Sequence, residues 1–182
     1  MRPVNIRFCG FGGQGIVLSA IIMGTAAVTR RNLYAVQTQS YGSEARGGQC
    51  QAELIISSQP INSPISERKD IIVALSQMAL DRYLPSLREG GTLIYDTKLE
   101  TNLHATSAAT IPVPATETAI SLGNQIAANM VVLGFLQEST QLITREDLVQ
   151  VVRETVPAKF LELNLKAVEA GRQLAQGVKL EV

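Results

Sequence analysis

The chain has only two cysteines, Cys9 and Cys50, and a single histidine, His104. The cysteines lack CxxC spacing and have no histidine beside them. Zinc and iron–sulfur centres need about four clustered ligands, so this chain alone supplies neither. Both cysteines read instead as small, buried strand residues. His104 stands in a segment of Thr, Ser and Ala with no triad around it, and reads as a surface residue. No G-x-S-x-G elbow, Walker lysine motif or H-E-x-x-H is present. Charge of neither sign is in excess, with 16 Lys plus Arg against 16 Asp plus Glu. That balance excludes a global field favouring nucleic acid or an anionic membrane and leaves room only for a local basic patch. Long hydrophobic runs are missing too. The longest candidate, Ile16 to Val28, is interrupted by Ser19, Gly24 and Thr25 and falls short of the roughly 20 residues that span a bilayer. Glycine-rich sequence arrives by residue 10, where a signal peptide would place its apolar core. The cytoplasm is therefore the expected location.

What is present is enough for a core. The chain has 182 residues, 46% of them apolar, which predicts one well-cored domain over residues 1–182. Asn5 to Cys9 reads as a strand, Ile16 to Arg31 as a helix apolar almost all round, closed by Asn32, and Leu33 to Val36 as a second strand. Gln37 to Gln49 reads as a long polar loop. Cys50 to Ser57 reads as a hairpin-like strand, Pro60 to Ile65 as an extended or turn segment, and Asp70 to Leu75 as a buried strand. Ser76 caps a helix that Gly90-Gly91 ends, with a kink or restart at Pro85. Thr92 to Tyr95 and Ile111 to Pro114 are further strands. Asn124 opens a helix with Ile126, Met130, Leu133 and Leu136 on its apolar stripe. Thr144 to Asp147 resembles a capping box for a helix reaching about Thr155, and a last helix begins near Pro157. This order predicts an α/β fold with a Rossmann-like, open, mainly parallel sheet flanked by helices.

Gly10, Gly12 and Gly15 match G-x-G-x-x-G between a strand and a helix. Small residues there permit a tight turn and let a phosphate approach the N–H groups at the helix start. With Gly13 and Gln14 they form the first candidate site. A Rossmann nicotinamide site also wants an acid about 20 positions on. Tyr34 to Thr38 contains none, which argues against that cofactor. The same glycines would equally serve close helix–strand packing or contact with another subunit. The polar loop is the second candidate. Arg46, between Glu44 and Gly47-Gly48, suits bidentate contact with a carboxylate or phosphate. Ser40, Tyr41 and Gly42 precede it, and Tyr41 adds a flat surface with a hydroxyl. A solvated loop with an internal Glu44–Arg46 pair is the plainer reading. Asn124 and Asn129, near Gly123, are candidates to line a pocket, although capping accounts for Asn124 as well.

GFGGQG over residues 10–15, followed by SYGSEARGG over residues 40–48, resembles the gamma subunit of 2-oxoacid:ferredoxin oxidoreductases. Pro114 to Glu117, Gly123-Asn124 and Ala128 to Met130 also fit that family. The resemblance covers about Ile6 to Leu136, with Ser43 where the family often has proline. Its SYGSEARGG form looks closest to 2-oxoglutarate-type enzymes. The resemblance implies a chain that binds no cofactor alone and helps form a shared coenzyme A site. Thiamine diphosphate, Mg2+ and iron–sulfur clusters would reside on partner subunits. Those partners would be the alpha and beta subunits, with a delta subunit as a further candidate, and ferredoxin would accept the electrons. Nucleic acid and membrane are not expected partners. The implied contacts for coenzyme A or for the catalytic partner are Gly10, Gly12, Gly13, Gln14, Gly15, Ser40, Tyr41, Gly42, Glu44, Arg46, Gly47, Gly48 and Asn129. Two other readings stay open: a stand-alone nucleotide-dependent oxidoreductase and a purely structural subunit.

Overall fold

A computed structural model describes residues 1–41, 48–100 and 108–181. Six strands form one sheet in the order β2-β3-β1-β4-β5-β6. They are β1 (Val4–Phe11), β2 (Tyr34–Tyr41), β3 (Gln49–Ser57), β4 (Lys69–Ala74), β5 (Leu87–Asp96) and β6 (Ala109–Val113). The pairs β1–β4, β4–β5 and β5–β6 are parallel, and β3 is antiparallel to both β1 and β2. Five strands therefore run one way and β3 alone is reversed, in agreement with the expected mainly parallel α/β sheet.

Alternation along β1 sorts the two faces. Val4, Ile6 and Phe8 enter the larger core, which also takes Leu54, Ile56, Ile71 and Val73. Helices α1 (Ile16–Arg31), α3 (Ala115–Ser121), α4 (Ala128–Thr140), α5 (Arg145–Thr155) and α6 (Ala158–Leu174) supply its other wall. On the opposite face Cys9, Ile72, Ala74 and Leu93 meet Ala79 and Leu80 of α2 (Gln77–Tyr83). Burying each large apolar side chain contributes about 1.5–3 kcal/mol. Helices α4 and α6 approach closely because both carry glycine at the crossing. A Cβ on Gly171 would lie 1.8 Å from the Val131 carbonyl oxygen, and one on Gly134 would lie 2.0 Å from that of Val168.

Local chemistry sets the helix ends as the sequence implied. Asn32 closes α1 in the left-handed conformation at φ 53°. Ser76 accepts the Ala79 N–H at the start of α2. Thr144 and Asp147 form a reciprocal capping box on α5. Both cysteines are buried in strands.

Four expectations need correction. Gln37 to Tyr41 and Gln49 are strand rather than loop. The register from Gln37 opposite Leu54 to Tyr41 opposite Cys50 extends β2 along the sheet edge, where polar residues are tolerated on an unpaired border. The helix after Ser76 does not reach Gly90-Gly91. It stops at Tyr83, a short 3-10 turn spans Leu84–Ser86, and Gly90-Gly91 lies within β5, beside the register shift between Lys69 and Ile71. Asn124 caps a 3-10 turn, Gln125–Ala127, that leads into α4, and Ile126 on that turn is 64% exposed rather than part of a core stripe. Helix α3 is additional, because its sequence ATETAIS carries too short an apolar pattern to announce itself.

Candidate functional site

Helix α1 packs on one face of the sheet and α2 on the other, so the connections from β1 and β4 leave in opposite directions. In open α/β sheets the crevice at the carboxyl ends of such a strand pair is where ligands bind. Gln14 caps this crevice. Its Oε1 accepts the Phe11 N–H at 2.7 Å and its Nε2 donates to the Leu75 carbonyl at 3.1 Å. The loop over β1 is thereby pinned to the end of β4, with the Gln14 side chain bridging the two strand ends.

Gly15 is the N-cap of α1 at φ 71°, and Asn129 of α4 stands over it, with Nδ2 3.4 Å from the Gly15 carbonyl. A Cβ on Gly15 would fall 2.3 Å from that amide nitrogen. Asn129 itself is only 3% exposed. Gly10 is packed against Gln14 and Ile16. Gly15, Asn129 and Gly10 thus shape the loop. Gly12 and Gly13 are exposed, and nothing lies within 4 Å of where a Gly13 side chain would be. Gly12 N–H donates to the Gly48 carbonyl at 3.0 Å. That bond brings the ends of the two glycine-rich segments together. Ser40 is exposed on β2, and Tyr41 ends that strand opposite Cys50. Gly42, Glu44, Arg46 and Gly47, like His104, lie outside the described residues.

Two cavities open beside Gly13. One, of about 160 Å³, is bounded by Gly13, Gln14, Lys98, Thr116, Gln125 and Ile126. Two of these residues are tied to the buried Asp96, which accepts the Thr116 N–H at 2.9 Å, the Thr116 hydroxyl at 2.5 Å and the Lys98 N–H at 3.2 Å. Lys98 Nζ in turn donates to Thr116 Oγ1 at 3.0 Å. The other cavity, of about 290 Å³, is mostly apolar, with Leu18, Ile126, Met130 and Phe160 among its walls. Lys98 was not marked by the sequence. Its only signal was position, two residues beyond the strand end at Asp96.

The strongest buried charges lie elsewhere. The Arg7 guanidinium pairs with Glu53, whose second oxygen takes Lys69 Nζ at 2.6 Å. Arg7 also donates to Ser86 Oγ at 2.5 Å and lies over the Tyr83 ring at 4.8 Å. Burial opposes ionisation of Glu53, but Arg7 and Lys69 together hold its carboxyl below the usual range. Burial pushes the Cys9 thiol up to about 12, so it is no nucleophile at neutral pH. No group of three His, Cys, Asp or Glu among the described residues could hold a metal. No described helix is long and apolar enough to cross a membrane. The rim offers exposed glycine backbone, one ammonium and a hydroxyl, which can bind an anion but carry no bond-breaking chemistry among themselves.

The neighbours in sequence and structure are specific. The family model described as pyruvate ferredoxin/flavodoxin oxidoreductase matches residues 5–174. The 2-oxoglutarate synthase subunit KorC of Methanothermobacter thermautotrophicus is 43% identical over 177 residues, covering 93% of this chain and 94% of that protein. The gamma subunit of keto/oxoacid ferredoxin oxidoreductase from Geobacter sulfurreducens superposes with a TM-score of 0.84 at 39% identity, covering 96% of this chain and 99% of that one. The 2-oxoglutarate:ferredoxin oxidoreductase of Magnetococcus marinus, solved with 2-oxoglutarate, coenzyme A and succinyl-CoA bound, shares the fold at a TM-score of 0.89. At 23% identity it covers all of this chain, which spans 33% of its length. Fold and relatives together define an oxidoreductase subunit built on an open α/β sheet. The chain belongs to the pyruvate ferredoxin/flavodoxin oxidoreductase family, as a gamma-type subunit. The resemblance carried by GFGGQG and SYGSEARGG is borne out.

Proposed function

We propose that this chain serves a thiamine diphosphate-dependent 2-oxoacid:ferredoxin oxidoreductase that converts 2-oxoglutarate to its acyl-CoA. In this reading it packs on the alpha and beta subunits and lends its glycine rim to the coenzyme A site. The observation that carries the reading is the rim itself. Gly12 joins the two motifs through Gly48, Gly13 faces open space, and Lys98 stands beside it with its ammonium held by Thr116. Exposed backbone donors and a cation suit the phosphates of coenzyme A, which when bound would supply the thiol acceptor for the acyl group. Gly13 and Lys98 are the residues that would hold those phosphates. Thiamine diphosphate, Mg2+ and the iron–sulfur clusters fit the partner subunits, since the two cysteines here are buried in separate strands. The relatives named for 2-oxoglutarate favour that substrate over pyruvate.

Reconstitution tests this. Partner subunits, thiamine diphosphate, magnesium, coenzyme A and 2-oxoglutarate should reduce ferredoxin or a viologen dye when the chain is added, and lose most coenzyme A-dependent turnover when it is omitted. Full-rate turnover by the partners alone would overturn the proposal.

A further inference from the structure

The two cavities beside the glycine loop have different chemistry and a common wall. Gly13 and Ile126 border both. The smaller holds Lys98 and Thr116. The larger is apolar and bounded by Phe160, whose ring is exposed. Asn164 also lines it and donates Nδ2 to the Phe160 carbonyl at 2.8 Å, which leaves its Oδ1 as an acceptor at the cavity wall. Lys159 Nζ lies over one face of the Phe160 ring at 4.7 Å, which leaves the other face for a stacked base. A cation in one compartment and an aromatic face with an amide acceptor in the next form a pattern that a phosphorylated purine satisfies. Lysine meets the phosphate, the base stacks on the ring, and its exocyclic amine donates to the amide oxygen.

Resting on the coenzyme A reading above, we propose that Lys98 and Phe160 select the nucleotide end of coenzyme A. Lys98 binds its diphosphate and Phe160 stacks its adenine across the Gly13–Ile126 ridge, with the pantetheine thiol directed away toward the partner subunit. Neither residue touches a reacting atom. Both act on affinity.

The test uses the reconstituted complex, with initial rates against coenzyme A and adenosine 3′,5′-bisphosphate as a competing probe. Lys98→Ala should raise the KM for coenzyme A about ten-fold or more, the size of a lost charge-assisted hydrogen bond, and move kcat far less. Lys98→Arg should restore most of the affinity. Phe160→Ala should raise the same KM about five-fold or more and weaken competition by the bisphosphate in parallel, as loss of a stacking platform requires. Phe160→Tyr should retain both. Lys166→Ala, on the exposed side of α6, is the control and should change nothing. Assembly of each variant is checked by gel filtration. A wild-type KM in Lys98→Ala and Phe160→Ala, in complexes that still need this chain for turnover, would overturn the inference alone. Coenzyme A-dependent turnover without the chain would overturn both readings.

Discussion

Arg7 lies within β1 and Gly12 just beyond its end, yet the two places treat their polar groups in opposite ways. Arg7 is buried, and Glu53 and Ser86 take its two terminal nitrogens while the Tyr83 ring lies under it, leaving Nε without a partner among the described residues. Glu53 is shared with Lys69, itself only 1% exposed. Around Gly12 and Gly13 there is no formal charge on the loop, and the backbone faces outward. The Arg7–Glu53–Lys69 cluster therefore turns its charges on one another, whereas the uncharged loop keeps its backbone exposed. Charge density marks the place that holds β1, β3 and β4 together. Exposed glycine backbone marks the place proposed to bind.

Removing Glu53 tests the closed side most severely. Glu53→Ala should destabilise the chain by about 3–5 kcal/mol, because it strands two buried cations. Urea unfolding would show it, and a loss near that of an ordinary surface substitution would break the contrast. Acid reads the same region. Glu53 and Asp70 both have folded carboxyls held below their usual range, Asp70 by Asn5 and Arg2 acting against burial. Their contribution is fully present above the ordinary carboxylate range of about 4 and is lost as pH falls through the lower folded values. Thermal midpoints should therefore drop below about pH 4, and drop less steeply in Glu53→Gln. An unchanged profile in that variant would show that the acid sensitivity does not come from Glu53.

On the open side the effects on stability shrink. Gly15→Ala should cost about 1–2 kcal/mol from the left-handed backbone, with a further loss from displacing Asn129. Combining it with Asn129→Ala should return part of that loss, and simple additivity of the two would refute the contact. Lys98→Ala should move stability by less than about 0.5 kcal/mol, in contrast to the proposed rise of about ten-fold in the KM for coenzyme A. A large fall in its melting temperature would make Lys98 a member of the closed, structural class.

The features readable from the sequence were those fixed by neighbours along the chain. Asn32, Ser76 and Thr144 act on backbone groups within a few residues, so their roles follow from order alone. Residues Gln37 to Tyr41 take their conformation from β3, a partner more than a turn away, and their polar composition resembles a loop. Gly90-Gly91 resembles a helix stop until β4 is beside it. The site divides in the same way. The glycine spacing announced the loop, and Asn129 was marked both by its place near Gly123 and by the resemblance. Lys98 and Phe160 carry no spacing signature, because only the packing of β5, the Gln125–Ala127 turn and α6 brings them to either side of Gly13.

The single reversed strand has a consequence in time. The β1–β3 register runs from Val4 opposite Ile56 to Phe11 opposite Gln49, so the pairing closes a long segment that includes all of α1 and β2. Such non-local closure is slow compared with helix formation, since the chain loses its freedom before the contact rewards it. The Gly12–Gly48 bond lies at the far end of that pairing. A nascent chain with its helices already wound thus has no joined glycine rim, and under the proposed function any molecule that reads the rim meets only subunits whose sheet has finished forming.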